Sequence, residues 1–165
     1  MKSVALRALI VLGALLAFGT VNFAVVGKER IKRDGETVYL PLAPVDPRSL
    51  VQGDYMALRF ALAREIEHRD AASHRVEREG QVAFAALALD DRHVASLAGD
   101  AAPASLKLRY RIRGGSIWLG TNAFFFEEGT AERFRAARYG EFRVDRRSGE
   151  AVLVGLRNGG LEALD

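Results

Sequence analysis

Four carboxylates stand where acid and base chemistry would look for them: Asp46 and Asp54 bracket a proline-rich turn, and Glu127 and Glu128 follow Phe124-Phe125-Phe126. Paired carboxylates work as general acid and base when burial drives their pKa values apart. Asp46 precedes a proline and Asp54 follows a glycine, however, and both are positions where an aspartate accepts local backbone amides. That structural use is the favoured reading of the pair. Ser49 lies in the same turn, but no Gly-x-Ser-x-Gly surrounds it and no histidine or lysine is tied to it by sequence, so its hydroxyl is expected to close the turn. The histidines are His68, His74 and His93, and none falls at a metal-ligand spacing. With no cysteine in the chain, disulfides, thiol nucleophiles and cysteine metal sites are excluded. No catalytic, cofactor-binding or metal-binding residue is therefore assigned, no cofactor is expected, and a binding module is favoured over an enzyme.

The other group with chemical potential is a basic row. Lys107, Arg109, Arg111 and Arg113 alternate with Leu106, Leu108, Tyr110 and Ile112, the period-2 pattern of a strand with one buried and one charged face. Such a face would hold anionic lipid headgroups, a polyanion or an acidic partner, although the plainest reading is a solvated surface. Nucleic acid is disfavoured, because 24 basic and 21 acidic residues give a net charge of only +3 and are interspersed.

The elements that position these groups begin with a membrane segment. Lys2 and Arg7 precede residues 8–26, which carry no charge and would span roughly 28 Å as a helix, the thickness of a hydrocarbon core. A cleaved signal peptide shares the charged start, yet the apolar run is overlong and no Ala-x-Ala site precedes Lys28. The expectation is a transmembrane anchor or uncleaved signal over residues 1–27 and one β-rich domain over residues 28–165. The positive-inside count, with Lys28, Arg30, Lys32 and Arg33 after the span, leans toward a cytoplasmic domain. The signal-like N-terminal half leans the other way.

Within the domain, Asp34-Gly35 reads as the turn of a hairpin over residues 29–42. The turn from Pro44 to Gly53 launches a strand with Met56, Leu58, Phe60 and Leu62 on its core face, a helix over residues 56–67 being the alternative. Residues 68–80 read as a polar loop or short helix, residues 81–89 as a strand ended by Asp90-Asp91, and residues 93–97 as a short return strand. Residues 106–113 and 116–119 form a hairpin about Gly114-Gly115, a short helix capped by Thr130 covers residues 131–139, and residues 141–145 and 151–156 make a final hairpin. The fold class is mainly β, a β-rich α+β arrangement in which one N-terminal transmembrane helix precedes an antiparallel β domain with a short helix near 130–139. The phenylalanine run is expected in the core.

Gly53-Asp54-Tyr55-Met56-Ala57-Leu58-Arg59-Phe60 resembles the signature of the GDYXXLXY family, with Phe60 where the last tyrosine is usual, and Pro44 to Leu50 is similar to that family's preceding turn. The membrane segment, residues 124–129 and residues 142–156 extend the likeness over most of the chain. The resemblance implies a membrane-anchored protein of unassigned biochemical role, in the bacterial inner membrane with a periplasmic, extracytoplasmic domain and a polytopic membrane-protein partner. It carries over no catalytic residue. The motif residues Pro44, Asp46, Pro47, Gly53, Asp54, Tyr55, Leu58 and Phe60 are expected to serve structure. Residues 45–54 are also similar in spacing to a segment of the signal peptidases, with Val45 where their nucleophilic serine would stand, which argues against proteolysis. The alternatives are an extracytoplasmic hydrolase using Asp46 and Asp54, or a signal-peptidase-like fold without its nucleophile.

Overall fold

The computed structural model describes residues 2–43, 51–52, 55–72, 79–99 and 103–164. It opens on α1 (Lys2–Asp34), one continuous helix of 33 residues. The apolar run forms its first part, with Leu12, Leu15, Phe18 and Phe23 all exposed, as an element surrounded by lipid requires. The expected first hairpin strand is absent, since residues 29–33 continue the helix. Glu29, Arg30, Lys32 and Arg33 are good helix formers, and nothing interrupts them until Gly35, whose N–H donates to the Ile31 carbonyl at 2.8 Å. A Cβ on Gly35 would lie 2.4 Å from that carbonyl oxygen and 3.0 Å from Val144 N. Asp34-Gly35 therefore ends a helix instead of turning a hairpin.

The strands after α1 are β1 (Glu36–Pro41), β2 (Val51–Gln52), β3 (Tyr55–Ala57), β4 (Val82–Leu89), β5 (Ala95–Leu97), β6 (Leu106–Arg113), β7 (Ser116–Trp118), β8 (Ala123–Phe125), β9 (Tyr139–Val144) and β10 (Ala151–Arg157). They form three antiparallel sheets, ordered β1-β9-β10, β2-β3-β8 and β5-β4-β6-β7. Thus β1 pairs with β9, far along the chain, and not with residues 30–33. The first and third sheets are stitched at two places. Tyr39 N donates to His93 O at 2.9 Å beside a Tyr39–Val94 bridge, and Arg109 N donates to Gly149 O at 2.8 Å. Between them lies the core, with Val38, Leu40, Leu87, Leu108, Tyr110, Phe142 and Val144 nearly or fully buried.

The strand expected after Gly53 is shorter than its alternation implies. It ends at Ala57, and α2 (Ala61–Ala72) takes over. Ala, Leu, Arg and Glu at residues 61–67 favour helix, so the alternative reading holds from Ala61 onward. Leu58, Phe60, Leu62 and Ile66 are buried all the same, the last two through helical rather than strand spacing. The short helix near residue 130 is a 3-10 helix, Ala131–Ala136, and Thr130 does not cap it through its side chain. Thr130 Oγ1 donates instead to Glu127 O at 2.6 Å. Residue 139 already belongs to β9, the middle strand of its sheet, which cuts the helix short.

Candidate functional site

Two regions compete as the site. At the motif, Pro44, Asp46, Pro47, Ser49, Gly53 and Asp54 lie outside the described residues. The described part of the motif is bound into structure. Leu58 is 4% exposed and its N–H donates to Asn122 O at 2.7 Å. Phe60, also 4% exposed, sets its ring edge-on to Phe142 at 5.3 Å and covers Gly140, where a Cβ would lie 2.9 Å from the Phe60 ring. A tyrosine hydroxyl at that depth would need a buried partner; phenylalanine does not. Tyr55 stays partly open on β3, its ring 5.9 Å from that of Phe125 on β8.

The phenylalanine run divides. Phe124 and Phe126 pack on Phe134 at 5.1 and 5.2 Å, whereas Phe125 is 76% exposed. Strand alternation in β8 explains this, since neighbours in a strand face opposite ways. Glu127 and Glu128 are exposed. Among the histidines, His68 sits on the exposed side of α2, His93 occupies a turn with positive φ, and His74 lies outside the described residues. Among the described residues no three His, Cys, Asp or Glu side chains are grouped to hold a metal ion.

The basic row is where the structure brings expected residues together. Burial along β6 alternates, with Leu106, Leu108, Tyr110 and Ile112 inside and Lys107, Arg109, Arg111 and Arg113 facing out. Arg109, Arg111 and Arg113 line a cleft of about 190 Å³ with Lys28, Trp118, Gly120, Glu150 and Ala151. Arg113 stacks over the Trp118 ring at 4.8 Å, and Lys107 reaches the Phe84 ring at 5.5 Å, outside the cleft lining. Arg109 and Arg111 are half-buried and make no ion pair among the described residues. The strand pairing sets exposed Val82 opposite Arg111 and exposed Phe84 opposite Arg109. The outer sheet face therefore mixes cations with large apolar side chains.

The α1 end closes this cleft. Lys28, the first charged residue after the apolar run, pairs with Glu150 at 2.5 Å. Glu150 follows a tight turn built by Asp145, whose carboxylate accepts from the N–H and hydroxyl of Ser148 and the N–H of Arg147. Those bonds, the Ser148 amide first, hold the Asp145 carboxyl below its ordinary pKa.

Sequence reasoning missed Glu141 and Asp70. Glu141 is 6% exposed and is gripped by Arg157, Nε to Oε2 at 2.7 Å, with Arg143 3.9 Å from the other oxygen. Asp70, 8% exposed, accepts from the Tyr110 hydroxyl at 3.3 Å. The alternation of Phe142 and Val144 marks Glu141 as outward, and β9's place as the middle strand, which brings Arg157 of β10 and its own Arg143 to the carboxylate, is what the sequence alone does not show.

The family model described as GDYXXLXY protein matches residues 17–156, most of the chain, from within α1 to the last strand. The chain belongs to the GDYXXLXY protein family. In this GDYXXLXY protein the family match takes in α1 from residue 17 onward together with the strands that follow, and a helix long and apolar enough to cross a membrane fits a membrane-anchored protein. No curated protein and no solved structure matches the chain.

Proposed function

We propose that this GDYXXLXY protein is an accessory subunit whose extracytoplasmic domain works by contact with a polytopic membrane protein, not by catalysis. The observation that carries the reading is the junction between anchor and domain. α1 passes from its apolar run into the β domain with no linker, and Ile31, one turn beyond Lys28, is already 8% exposed. Gly35 binds back to Ile31, and Arg146 grips Glu36 with Nε–Oε2 at 2.7 Å and Nη2–Oε1 at 2.8 Å. A domain held this way keeps one face toward the bilayer and presents the rest in a fixed orientation, which suits docking more than diffusion to a soluble substrate.

The test inserts a flexible Gly/Ser linker between Asp34 and Gly35 and follows recovery of membrane partners in mild detergent. The native chain should bring down a discrete membrane protein, and the linker variant should remain membrane-bound but lose it. Recovery of no membrane partner by the native chain, or undiminished recovery by the linker variant, would overturn the reading. A reporter at the C-terminus that is active only in the cytoplasm would reverse the assigned side.

A further inference from the structure

We infer that the cleft beside β6 is a binding site for the phosphate headgroup of an anionic phospholipid, drawn from the bilayer that α1 enters. This rests on the anchoring part of the proposed function and not on its protein partner.

The first observation is depth. Lys28 is both the first charged residue after the uncharged stretch and a wall of the cleft. A helix that crosses the hydrocarbon up to that lysine sets the cleft at the level of the headgroups. The second is charge. Among the described residues Glu150 is the one carboxylate lining the cleft, and Lys28 pairs with it, so three arginines face the cleft without an opposing acid among those residues. Guanidinium groups match a phosphate by paired N–H bonds, and partial burial strengthens each of them. The third is the apolar content of the same face. Val82 is 42% and Phe84 53% exposed, and Trp118 lies under Arg113. A site for a soluble anion has no use for exposed Val and Phe on the strand beside its cations, whereas the boundary between headgroup and acyl chain accommodates both. Phosphodiester headgroups occur in both leaflets, so the inference holds on either side of the membrane.

Trp118 is the chain's only tryptophan, and it reports from within the cleft. The full-length chain in mild detergent would be titrated with short-chain phosphatidylglycerol, short-chain phosphatidylcholine and inorganic phosphate while Trp118 fluorescence is followed, with calorimetry as a second readout. Phosphatidylglycerol should saturate, phosphatidylcholine and inorganic phosphate should bind at least tenfold more weakly, and the double variant R109A/R111A should weaken phosphatidylglycerol binding on the order of thirtyfold. W118F should lose the optical signal and keep most of the calorimetric one. Inorganic phosphate binding as tightly as the lipid would move the source to soluble phosphate and overturn the lipid assignment. Equal binding of the two lipids, no saturation, or an R109A/R111A variant that unfolds at the native temperature and binds unchanged would also overturn it. Loss of the protein partner with the lipid response intact would leave this inference standing while removing the proposed partner.

Discussion

The charges near the β1-β9-β10 sheet and those on the outside of β6 are treated in opposite ways. Around the first sheet they are matched: Glu141 with Arg157, Glu36 with Arg146, and Lys28 with Glu150. On the outer face of β6, Arg109 and Arg111 sit half-buried with no such partner among the described residues. Of these pairs Glu141–Arg157 is the buried one, and separating it strands a desolvated ion, whereas Lys28 and Arg146 are more than half exposed and their pairs contribute less. Unmatched charges on a strand face have no such pair to lose, and their charge is left to solvent or to a ligand.

The largest effect should come from Glu141→Ala. It removes the acceptor that serves Arg157 and leaves that guanidinium, 25% exposed, without its carboxylate. The expected loss is about 3 kcal/mol, the lower end for a broken buried pair because Arg157 keeps some solvent. Thermal or denaturant unfolding in detergent measures it. A loss below 1 kcal/mol would mean the matched charges are ornamental, and the contrast between the two regions would disappear.

Next comes Gly140→Ala on the same strand. The added methyl would meet the Phe60 ring at 2.9 Å, the Phe142 ring at 3.0 Å and Leu153 at 3.2 Å. Overpacking of this kind costs about 2 kcal/mol. Pairing it with Phe60→Leu should recover part of the loss, because the leucine vacates the space a ring fills, and that non-additivity ties the family motif to the core.

These two positions also show what the sequence made legible. The β6–β7 and β9–β10 hairpins followed from period-2 alternation and Gly-bearing turns, and both formed as expected. The junction after the membrane segment did not follow, because Asp34-Gly35 is a turn signal and a helix stop alike, and local residues do not say which. Only the distant β9, which takes β1 as its partner, decides it. The basic row was legible as a row. The cleft was not, because Lys28, Trp118 and Glu150 reach it from three other segments. Glu141 was hidden for a similar reason: burial on both faces of a middle strand depends on what packs there, and alternation alone marks it as outward.

A smaller effect belongs to Asp145, whose turn carries Gly149 to the edge of β6. Its carboxyl is held below the usual value by Ser148 first and by Arg147. A depressed folded-state pKa means that the stabilisation is complete above the unfolded value, about 3.9, and fades as pH falls through the folded one. Asp145→Ala should therefore cost about 1 kcal/mol near neutrality, and the gap in melting temperature should close below about pH 4. A gap independent of pH would show that the side chain's shape, and not its charge, builds the turn.

The smallest stability effect is expected on the outer face of β6, in R109A/R111A. Neither side chain has an ion-pair partner to lose among the described residues. The two point the same way two residues apart on one strand, so truncating them relieves repulsion between like charges. Loss of the packing of their aliphatic stems opposes that relief. The sum should stay within about 0.5 kcal/mol of the native chain, and added salt should narrow the difference by screening the repulsion that was removed. If unfolding instead shows a loss above 1 kcal/mol, the arginines brace the sheet, and the absence of an acid opposite them says nothing about what the cleft receives.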